Sequence, residues 1–334
     1  MRVYKYRGGD KKILKRDLSS LAKSQMFSAP IETLNDPFEA VVNLNEGSFE
    51  IGNLLQIIPR FKYDEKFKEV EKGFLKILLD FMNTSKSWGI YSLSKTYRDE
   101  LLWAYYADAH RGFCVEYELD ELKEYSIRTE PSFDVKYQNK MPELSSFDML
   151  SIKEHPEILQ EKLIATKSTK WKHEDEIRIV TGTSGLFDYD YRALKAVYFG
   201  HRSDEKFQKL TMRVLKGRSI KYYVMKPKNG AYELEKHELD DYYLNAAKYL
   251  NSIAPIEDGV PYFDERTKPF EELINSAIEI VRREPYCEKI TDAYISGSKG
   301  TKDNPVFYVS YERSDGIHRN HYLSKSEITS YKAN

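Results

Sequence analysis

Alternation of polar and apolar residues predicts strands along the first two thirds of the chain. Runs with a period of two, bounded by glycine, proline or polar residues, are typical of strands. The opening run VYKYR places Tyr4 and Tyr6 on one face and Lys5 and Arg7 on the other. Further strands are predicted over residues 26–28, 90–93, 113–117, 133–137, 176–181, 196–199 and 220–225.

Helices are predicted where apolar residues recur at three- and four-residue steps. These segments are residues 14–23, 61–82, 99–110, 159–165 and 205–215. Gly112 is the expected stop after LLWAYYADAH, since glycine is favoured just past a helix end. Asp36, Pro37 and Glu39 form a capping-box-like start for one more short helix.

The pattern changes near residue 250, where Pro255, Gly259 and Pro261 indicate a linker. After it follow a predicted helix over residues 270–283 and strands over residues 290–296, 306–312 and 318–323, with a loop at 297–305 and a tight turn at 314–316. We therefore predict two domains. Residues 1–250 form the main body with the candidate active site, and residues 251–334 form a small module that serves as a partner or sensor domain.

The predicted fold class is α+β. We expect a curved, mixed or mostly antiparallel sheet with inserted helices, followed by the small module of one helix and three antiparallel strands. A doubly wound parallel sheet is disfavoured, because strands and helices alternate irregularly and no glycine-rich first turn exists.

Composition changes this picture in two respects. The chain has 52 Lys and Arg against 53 Asp and Glu, so any affinity for an anion must come from a local site. It also has 26 Tyr against 16 Phe and 3 Trp. Tyrosine buries a ring while its hydroxyl reaches a partner, which suits half-buried sheet positions and polar-tipped pockets.

Several kinds of site and location are disfavoured by absent motifs. The chain lacks a Walker loop, GxGxxG, HExxH, GxSxG and a CxxC pair, so the common nucleotide-binding and hydrolase sites are disfavoured, and we also expect no metal site. Its two cysteines, Cys114 and Cys287, are too few and too far apart for a disulfide framework and fit a reducing compartment. With no secretory signal and no long apolar run, we expect a cytoplasmic protein without membrane contact.

Two groups of candidate ligand-binding residues lie in the first third of the chain. Lys5 and Arg7 share one strand face and could hold a phosphate or carboxylate; the alternative is a charged edge strand that discourages aggregation. Trp103, Tyr106 and His110 share a helical spacing with Asp99, which would offer a flat aromatic ligand one face of the helix. The alternative is a half-buried helix that packs on the sheet.

The third cluster is KSTKWKHEDEIRIV, at residues 167–180. Along a strand, Glu174, Glu176 and Arg178 would point one way while Ile177 and Ile179 point into the core. Carboxylates that share a site can have raised pKa values suited to acid–base chemistry. A solvated ladder of salt bridges is the alternative.

Together these segments resemble a bacterial protein family of unknown function. The resemblance is carried, in order, by YKYR, FSAPIETLNDPFEA, LLWAYYADAHRGFCVEY, KSTKWKHEDEIRIV and LKAVYFGH. It spans residues 3–225 and leaves out the C-terminal module. The resemblance implies membership of this family, but the name of the family does not indicate an activity.

The chain also resembles ADP-ribosyltransferases, in which a basic residue on an early strand, a Ser or Tyr on a middle strand and a late Glu surround NAD. The matching positions are Arg7, then Ser28 or Ser92, then Glu176 or Glu174. The resemblance implies that Arg7 holds an NAD phosphate. It also implies that Glu176 binds a ribose hydroxyl and stabilises the oxocarbenium-like centre as nicotinamide leaves.

Two functions follow as hypotheses. The first is an intracellular, NAD-using ADP-ribosyltransferase-like enzyme, such as a toxin or antiphage effector. Its candidate catalytic residues are Glu174, Glu176 and His110, and its candidate cofactor-binding residues are Arg7, Ser28, Ser92, Trp103, Tyr106, Lys167 and Arg178. The second is a non-enzymatic nucleotide- or nucleic-acid-binding module, with aromatic side chains beside Lys167, Lys170, Lys172 and Arg178.

Overall fold

The structure is a computed structural model of a mixed α+β protein. It describes residues 1–38, 83–123, 130–142 and 156–332, apart from residues 248, 250–252, 285, 302 and 314–315. The predicted helix over residues 61–82 and the predicted capping glutamate, Glu39, lie outside the described residues. So do residues 314 and 315 of the predicted tight turn.

The chain divides into two compact units. The first comprises Met1–Asp188, Arg192–Leu215 and Ser219–Leu244, and the second comprises Tyr189–Tyr191, Lys216–Arg218 and Asn245–Asn334. The division predicted at residue 250 and the partner or sensor role of the module stay predictions.

The first unit is built on a ten-stranded sheet. Its strands are β1 (Arg2–Arg7), β2 (Gln25–Pro30), β3 (Gly89–Ser94), β4 (Phe113–Glu118), β5 (Ser132–Asp134), β8 (Glu176–Thr181), β9 (Gly185–Asp188), β10 (Leu194–Phe199), β11 (Lys221–Pro227) and β12 (Leu234–Leu239). The order is β12-β11-β10-β4-β1-β3-β2-β9, with β8 paired to β3 and β5 paired to β8. Only the pairing of β10 with β11 is parallel among the pairs of this sheet, which confirms the predicted α+β class with a mixed, mostly antiparallel sheet.

Strand β1 lies in the interior of this sheet. It pairs antiparallel with β4 over its whole length and with β3 at Tyr4 and Ser94. The edge-strand explanation of Lys5 and Arg7 is therefore wrong, because both sides of the strand are paired.

Residues 133–137 form two short strands rather than the one predicted. Strand β5 pairs with β8, whereas β6 (Lys136–Gln138) pairs in parallel with β7 (Thr166–Ser168). The change of partner occurs at Val135, whose N–H donates to the carbonyl oxygen of Glu176, while the next N–H, of Lys136, donates to that of Ala165. The pattern in the sequence shows strand character but cannot show that the partner changes.

Five helices of the first unit are described: α1 (Lys11–Ala22), α2 (Glu100–Tyr106), α3 (Leu119–Lys123), α4 (Pro156–Ile164) and α5 (Glu205–Val214). Aspartates cap three of them. Asp10 accepts a hydrogen bond from the Ile13 N–H, Asp99 from the N–H groups of Leu101 and Leu102, and Asp204 from the Phe207 N–H. Such caps satisfy backbone donors that have no partner inside the helix.

Helix α2 ends earlier than predicted, at Tyr106. Asp108, Ala109 and His110 have φ values of 48°, 47° and 67°, so the chain turns through the left-handed region before β4. The predicted helical face that joins Trp103, Tyr106 and His110 is therefore wrong, since His110 is not on the helix.

The second unit packs helices on a three-stranded antiparallel sheet. Its elements are α6 (Glu271–Val281), β13 (Cys287–Gly300), β14 (Pro305–Arg313), β15 (His318–Ser324) and α7 (Lys325–Lys332). Ile274, Ile278, Ile290, Phe307 and Ile328 lie in its apolar core. Strand β13 runs beyond the predicted end at residue 296, because a shift in register lets Gly300 pair with Pro305.

Two nearby residues of α2 provide a test of the core of the first unit. Trp103 is 0% exposed and packs edge-on against Tyr6, whereas Tyr105 is 64% exposed. We expect Trp103→Ala to lower the free energy of unfolding by about 3–5 kcal/mol, because it leaves a large cavity. Tyr105→Ala should change it by no more than about 0.5 kcal/mol. Urea unfolding measures both, and equal effects would contradict the burial of Trp103.

Candidate active site

A cavity of about 310 Å³ lies within the first unit. Its walls come from β1, α1, β2, β3, α2, β7, β8 and the turns at residues 33–35 and 169–174. The side chains that can ionise or hydrogen bond include Lys5, Arg7, Arg16, Asp17, Ser92, Ser94, Tyr106, Lys167, Glu174, Glu176 and Arg178. The volume is at the lower end of the range for small-molecule sites, roughly 300–1,000 Å³.

Strand pairing brings residues that are far apart in sequence into this cavity. Side chains two residues apart share a strand face, which explains why Lys5 and Arg7 both line it. The register of β3 with β8 sets Ser92 opposite Arg178 and Ser94 opposite Glu176. One wall of the cavity thus combines a hydroxyl, a guanidinium and a carboxylate on rigid strands.

Glu174 reaches the cavity from a turn and not from a strand. It ends a 3-10 helix, Thr169–Glu174, and the next residue, Asp175, has left-handed backbone angles of φ 41° and ψ 57°. The predicted strand position of Glu174 is therefore wrong, although β8 does begin at Glu176 as predicted. Aspartate tolerates the left-handed region better than most residues, and this turn leaves both glutamates at the cavity wall.

The two glutamates form a buried network with two cations. Arg178 binds Glu176 through two hydrogen bonds, from Nε at 2.8 Å and from Nη2 at 3.1 Å. The Lys167 ammonium donates to Glu174 at 2.6 Å and to Glu176 at 3.2 Å. The Tyr106 hydroxyl donates to Glu174 at 2.6 Å. These side chains are buried and paired. The solvated ladder of salt bridges, which the sequence analysis gave as the alternative, is therefore wrong.

The surrounding charges shift the pKa values of the cavity groups in opposite directions. Burial alone would raise the pKa of Glu176, but the charges of Arg178 and Lys167 and a hydrogen bond from Ser92 lower it to about 2. Burial, together with the nearby positive charge of Arg7, lowers the pKa of the Lys5 ammonium to about 7. Glu176 is thus ionised at every physiological pH, whereas Lys5 titrates near neutrality.

The cavity carries an excess of positive charge. Five basic side chains, Lys5, Arg7, Arg16, Lys167 and Arg178, face three carboxylates, Asp17, Glu174 and Glu176. Asp17 is held by Arg16 at 2.9 Å and lies 3.9 Å from Arg7. A net charge of +2, or +1 when Lys5 is neutral, favours an anionic ligand.

Seven of the ten residues proposed from sequence line this cavity: Arg7, Ser92, Tyr106, Lys167, Glu174, Glu176 and Arg178. The other three, Ser28, Trp103 and His110, are not among its lining residues. Ser28 is 0% exposed, with its side chain packed against the backbone of Gly89. Of the two serines proposed from the sequence, Ser28 and Ser92, only Ser92 therefore lines the cavity.

The aromatic helix contributes one ring to the cavity. The indole N–H of Trp103 donates to the Tyr97 carbonyl oxygen at 2.8 Å, and its fully buried ring is unavailable for stacking on a ligand. His110 lies parallel to Trp103 with ring centroids 6.3 Å apart, and burial lowers its pKa. A catalytic role for His110 therefore has no support from its position.

Sequence reasoning missed Arg16 and Asp17 as cavity residues. Asp17 lies in the apolar stripe of α1, next to the buried Leu18 and one turn before Leu21, and is itself only 6% exposed. A carboxylate in such a stripe is a signal that could have been used, since buried charges are rare unless paired. Arg16 carries no comparable signal, because its side chain is mostly exposed.

The basic surface proposed for nucleic-acid binding is divided by the fold. Lys170 and Lys172 are exposed, but Lys167 and Arg178 are buried and paired with the glutamates. The four cations therefore do not form one surface. Within the described ranges, no cluster of three or more His, Cys, Asp or Glu is arranged to hold a metal, and no helix there is long and apolar enough to cross a membrane.

The lowered pKa of Glu176 predicts how stability depends on pH. The ionised carboxylate stabilises the folded state fully above about pH 5 and loses this effect as the pH falls toward 2, because the unfolded glutamate has a pKa near 4.3. We expect Glu176→Gln to lower the free energy of unfolding by about 3 kcal/mol at pH 7. This difference should shrink steadily between pH 5 and pH 3.

Denaturant unfolding at pH 7, 5 and 3 measures this difference. The exposed Glu32, changed to Gln, is the matched control and should leave stability unchanged within about 0.5 kcal/mol at each pH. A Glu176→Gln effect that stays constant between pH 7 and pH 3 would show that the carboxylate is not held ionised by its neighbours.

Comparison with known proteins finds a family match over part of this site. No curated protein and no solved structure matches the chain. A family model does match residues 102–179, which contain Tyr106, Lys167, Glu174, Glu176 and Arg178. Two of the segments that carry the sequence resemblance, LLWAYYADAHRGFCVEY and KSTKWKHEDEIRIV, fall almost wholly inside this match. Over these residues, the predicted relationship to a family of unknown function is confirmed: the family is described as "Protein of unknown function (DUF2971)".

Proposed function

We propose that the cavity is the active site of an NAD-using, ADP-ribosyltransferase-like enzyme. One observation carries this proposal. Arg7 of β1, Ser92 of β3 and Glu176 of β8 are the three positions that match the basic, serine and glutamate positions of those enzymes, and all three line the same cavity. They are far apart in sequence, so their proximity is a property of the fold.

Arg7 is suited to hold an NAD phosphate. Its guanidinium lines the cavity beside Arg16 and Asp17, and a guanidinium can donate two parallel hydrogen bonds to a phosphate. The positive charge of the cavity adds attraction for the pyrophosphate. Tyr106 supplies the aromatic surface for a ring of the ligand, with its hydroxyl anchored on Glu174.

Glu176 is suited to the chemical step because it stays ionised. As the bond between ribose and nicotinamide breaks, positive charge develops on the ribose carbon and its ring oxygen. A carboxylate fixed in advance at the wall of a cavity stabilises that charge without reorganisation. Glu174, in the same network, adds a second carboxylate to this wall.

A second candidate function is non-enzymatic binding of a nucleotide. It is favoured by the hydrogen bonds that Glu176 already accepts, two from Arg178 and one from Lys167. A carboxylate has about four acceptor positions, so a ribose hydroxyl must compete with the nearby Ser92 hydroxyl for the fourth or displace another donor. If no donor yields, Glu176 only maintains the architecture of a nucleotide site.

Nicotinamide release from NAD and NAD binding by calorimetry distinguish the two functions. For an enzyme, we expect Glu176→Gln to reduce nicotinamide release about 100-fold or more while NAD still binds, since it removes charge needed in the transition state. Arg7→Met should weaken NAD binding itself. The exposed Lys170, changed to Met, is the control and should alter neither measurement.

Ser92→Ala is a milder variant for the case in which Glu176→Gln does not fold. It removes the neutral hydroxyl that helps to lower the pKa of Glu176 and should reduce nicotinamide release without abolishing NAD binding. NAD binding by the wild type without nicotinamide release would favour the nucleotide-binding function. Absence of both binding and release would contradict both functions. The role as a toxin or antiphage effector stays a prediction of the resemblance.

A further inference from the structure

Lys5 presents an amine to the cavity from the interior strand β1. Its Nζ donates to the Ser92 carbonyl oxygen at 2.7 Å and lies 5.0 Å from the centre of the Tyr91 ring. The side chain keeps partial exposure, so a ligand in the cavity can reach it. The proposed NAD chemistry assigns no role to this group.

Lys5 differs from the other lysine of the cavity in its partners. Lys167 forms ion pairs with Glu174 and Glu176 and needs its positive charge for both. Lys5 has no carboxylate within 4.0 Å in the described part of the chain, and its hydrogen bond goes to a neutral carbonyl group. Loss of a proton from Lys5 therefore breaks no ion pair.

The charges that face Lys5 come from every neighbouring element. Arg7 on the same strand face repels its proton, whereas Asp17 of α1, Glu174 of the turn and Glu176 of β8 attract it. The flanking strand β3 presents the Tyr91 ring, whereas the Cys114 thiol of β4 is close to Lys5 but lies on the opposite sheet face, with Tyr6. Burial outweighs the three carboxylates, and the pKa of Lys5 falls to about 7. A lysine that is desolvated beside another cation is an activated amine nucleophile.

We propose that Lys5 forms a reversible imine with an aldehyde or ketone whose ligand also carries a phosphate or carboxylate. The anionic group would bind Arg7 and Arg16, which line the same cavity. The Nζ lone pair forms a bond to the carbonyl carbon, and the carbonyl π pair moves to its oxygen. The resulting carbinolamine loses one water, with its oxygen from the carbonyl and its two hydrogens from the amine.

This inference is independent of the NAD proposal, since it needs only the cavity, its cations and the amine. The two remain compatible in one cavity. A ribose whose C1 is free is an aldehyde in its open-chain form, so the ADP-ribose that forms when water replaces nicotinamide on NAD, which also carries a pyrophosphate, belongs to the proposed ligand class.

Reductive trapping tests the proposal. The probe is pyridoxal 5′-phosphate, an aldehyde with a phosphate, followed by borohydride reduction, intact-protein mass and peptide mapping. At pH 7.5 we expect one adduct, on Lys5, at probe concentrations that leave Lys167 and the exposed Lys12 unlabelled. Lys5→Arg should abolish that adduct, because a guanidinium stays protonated.

Two further measurements separate a built site from general lysine chemistry. The labelling rate of Lys5 should rise with a midpoint near pH 7, whereas ordinary lysines rise toward a pKa of about 10.4. Arg7→Met should slow labelling by pyridoxal 5′-phosphate at least fivefold more than labelling by uncharged pyridoxal, which loses only the effect of the Arg7 charge on the pKa of Lys5. Inorganic phosphate should compete with the charged probe only.

Three results would overturn the proposal. They are adducts confined to surface lysines, a pH midpoint for Lys5 near that of the surface lysines, and an Arg7→Met effect that is equal for the charged and uncharged probes. None of these measurements uses NAD. A failure of the NAD experiments and a failure of the trapping experiments are therefore separate outcomes.

Discussion

The architecture of the cavity depends on four charges that are buried together. Lys167, Glu174, Glu176 and Arg178 are each no more than 8% exposed, and an isolated buried charge costs several kcal/mol. Each group is tolerable only beside its partners, so β7, the turn after it and β8 must hold one arrangement. The left-handed turn at Asp175 brings the two glutamates to the shared cations.

The same network divides the cavity into two electrostatic regions. Its two cations and two carboxylates balance each other, so the positive excess lies with Lys5, Arg7 and Arg16, opposed only by Asp17. One region is hydrogen-bonded and neutral overall, and the other is cationic. A ligand with a sugar or carbonyl group at one end and a phosphate at the other fits this division, which is common to the transferase and the imine proposals.

The tyrosine excess has a partial structural explanation. Tyr198 stacks on Tyr97 with centroids 4.5 Å apart and on Tyr223 with centroids 5.0 Å apart, and its hydroxyl donates to Glu116 at 2.5 Å. The Lys236 ammonium lies within 6 Å of all three rings. Phenylalanine could fill this space but could not donate a hydrogen bond to Glu116. Tyrosine therefore allows charged residues to lie beside a partly buried strand face.

Local patterns in the sequence determined which segments form strands and which side chains share a face. Period two alone placed Lys5 and Arg7 together on β1, and it located β8 from Glu176 to Thr181. These inferences held because strand geometry is repeated at every second residue, whatever the strand pairs with. The pattern did not predict β12, because its polar residues leave no alternation to detect.

Only the tertiary structure decided which of these faces close around the cavity. It placed β1 inside the sheet, chose Ser92 over Ser28, and turned Tyr106 toward the cavity while Trp103 entered the core. These outcomes depend on pairing between strands far apart in the chain and on where α2 ends. Spacing within one segment cannot predict which strands pair or how deeply a side chain is buried. Contacts with distant segments determine both.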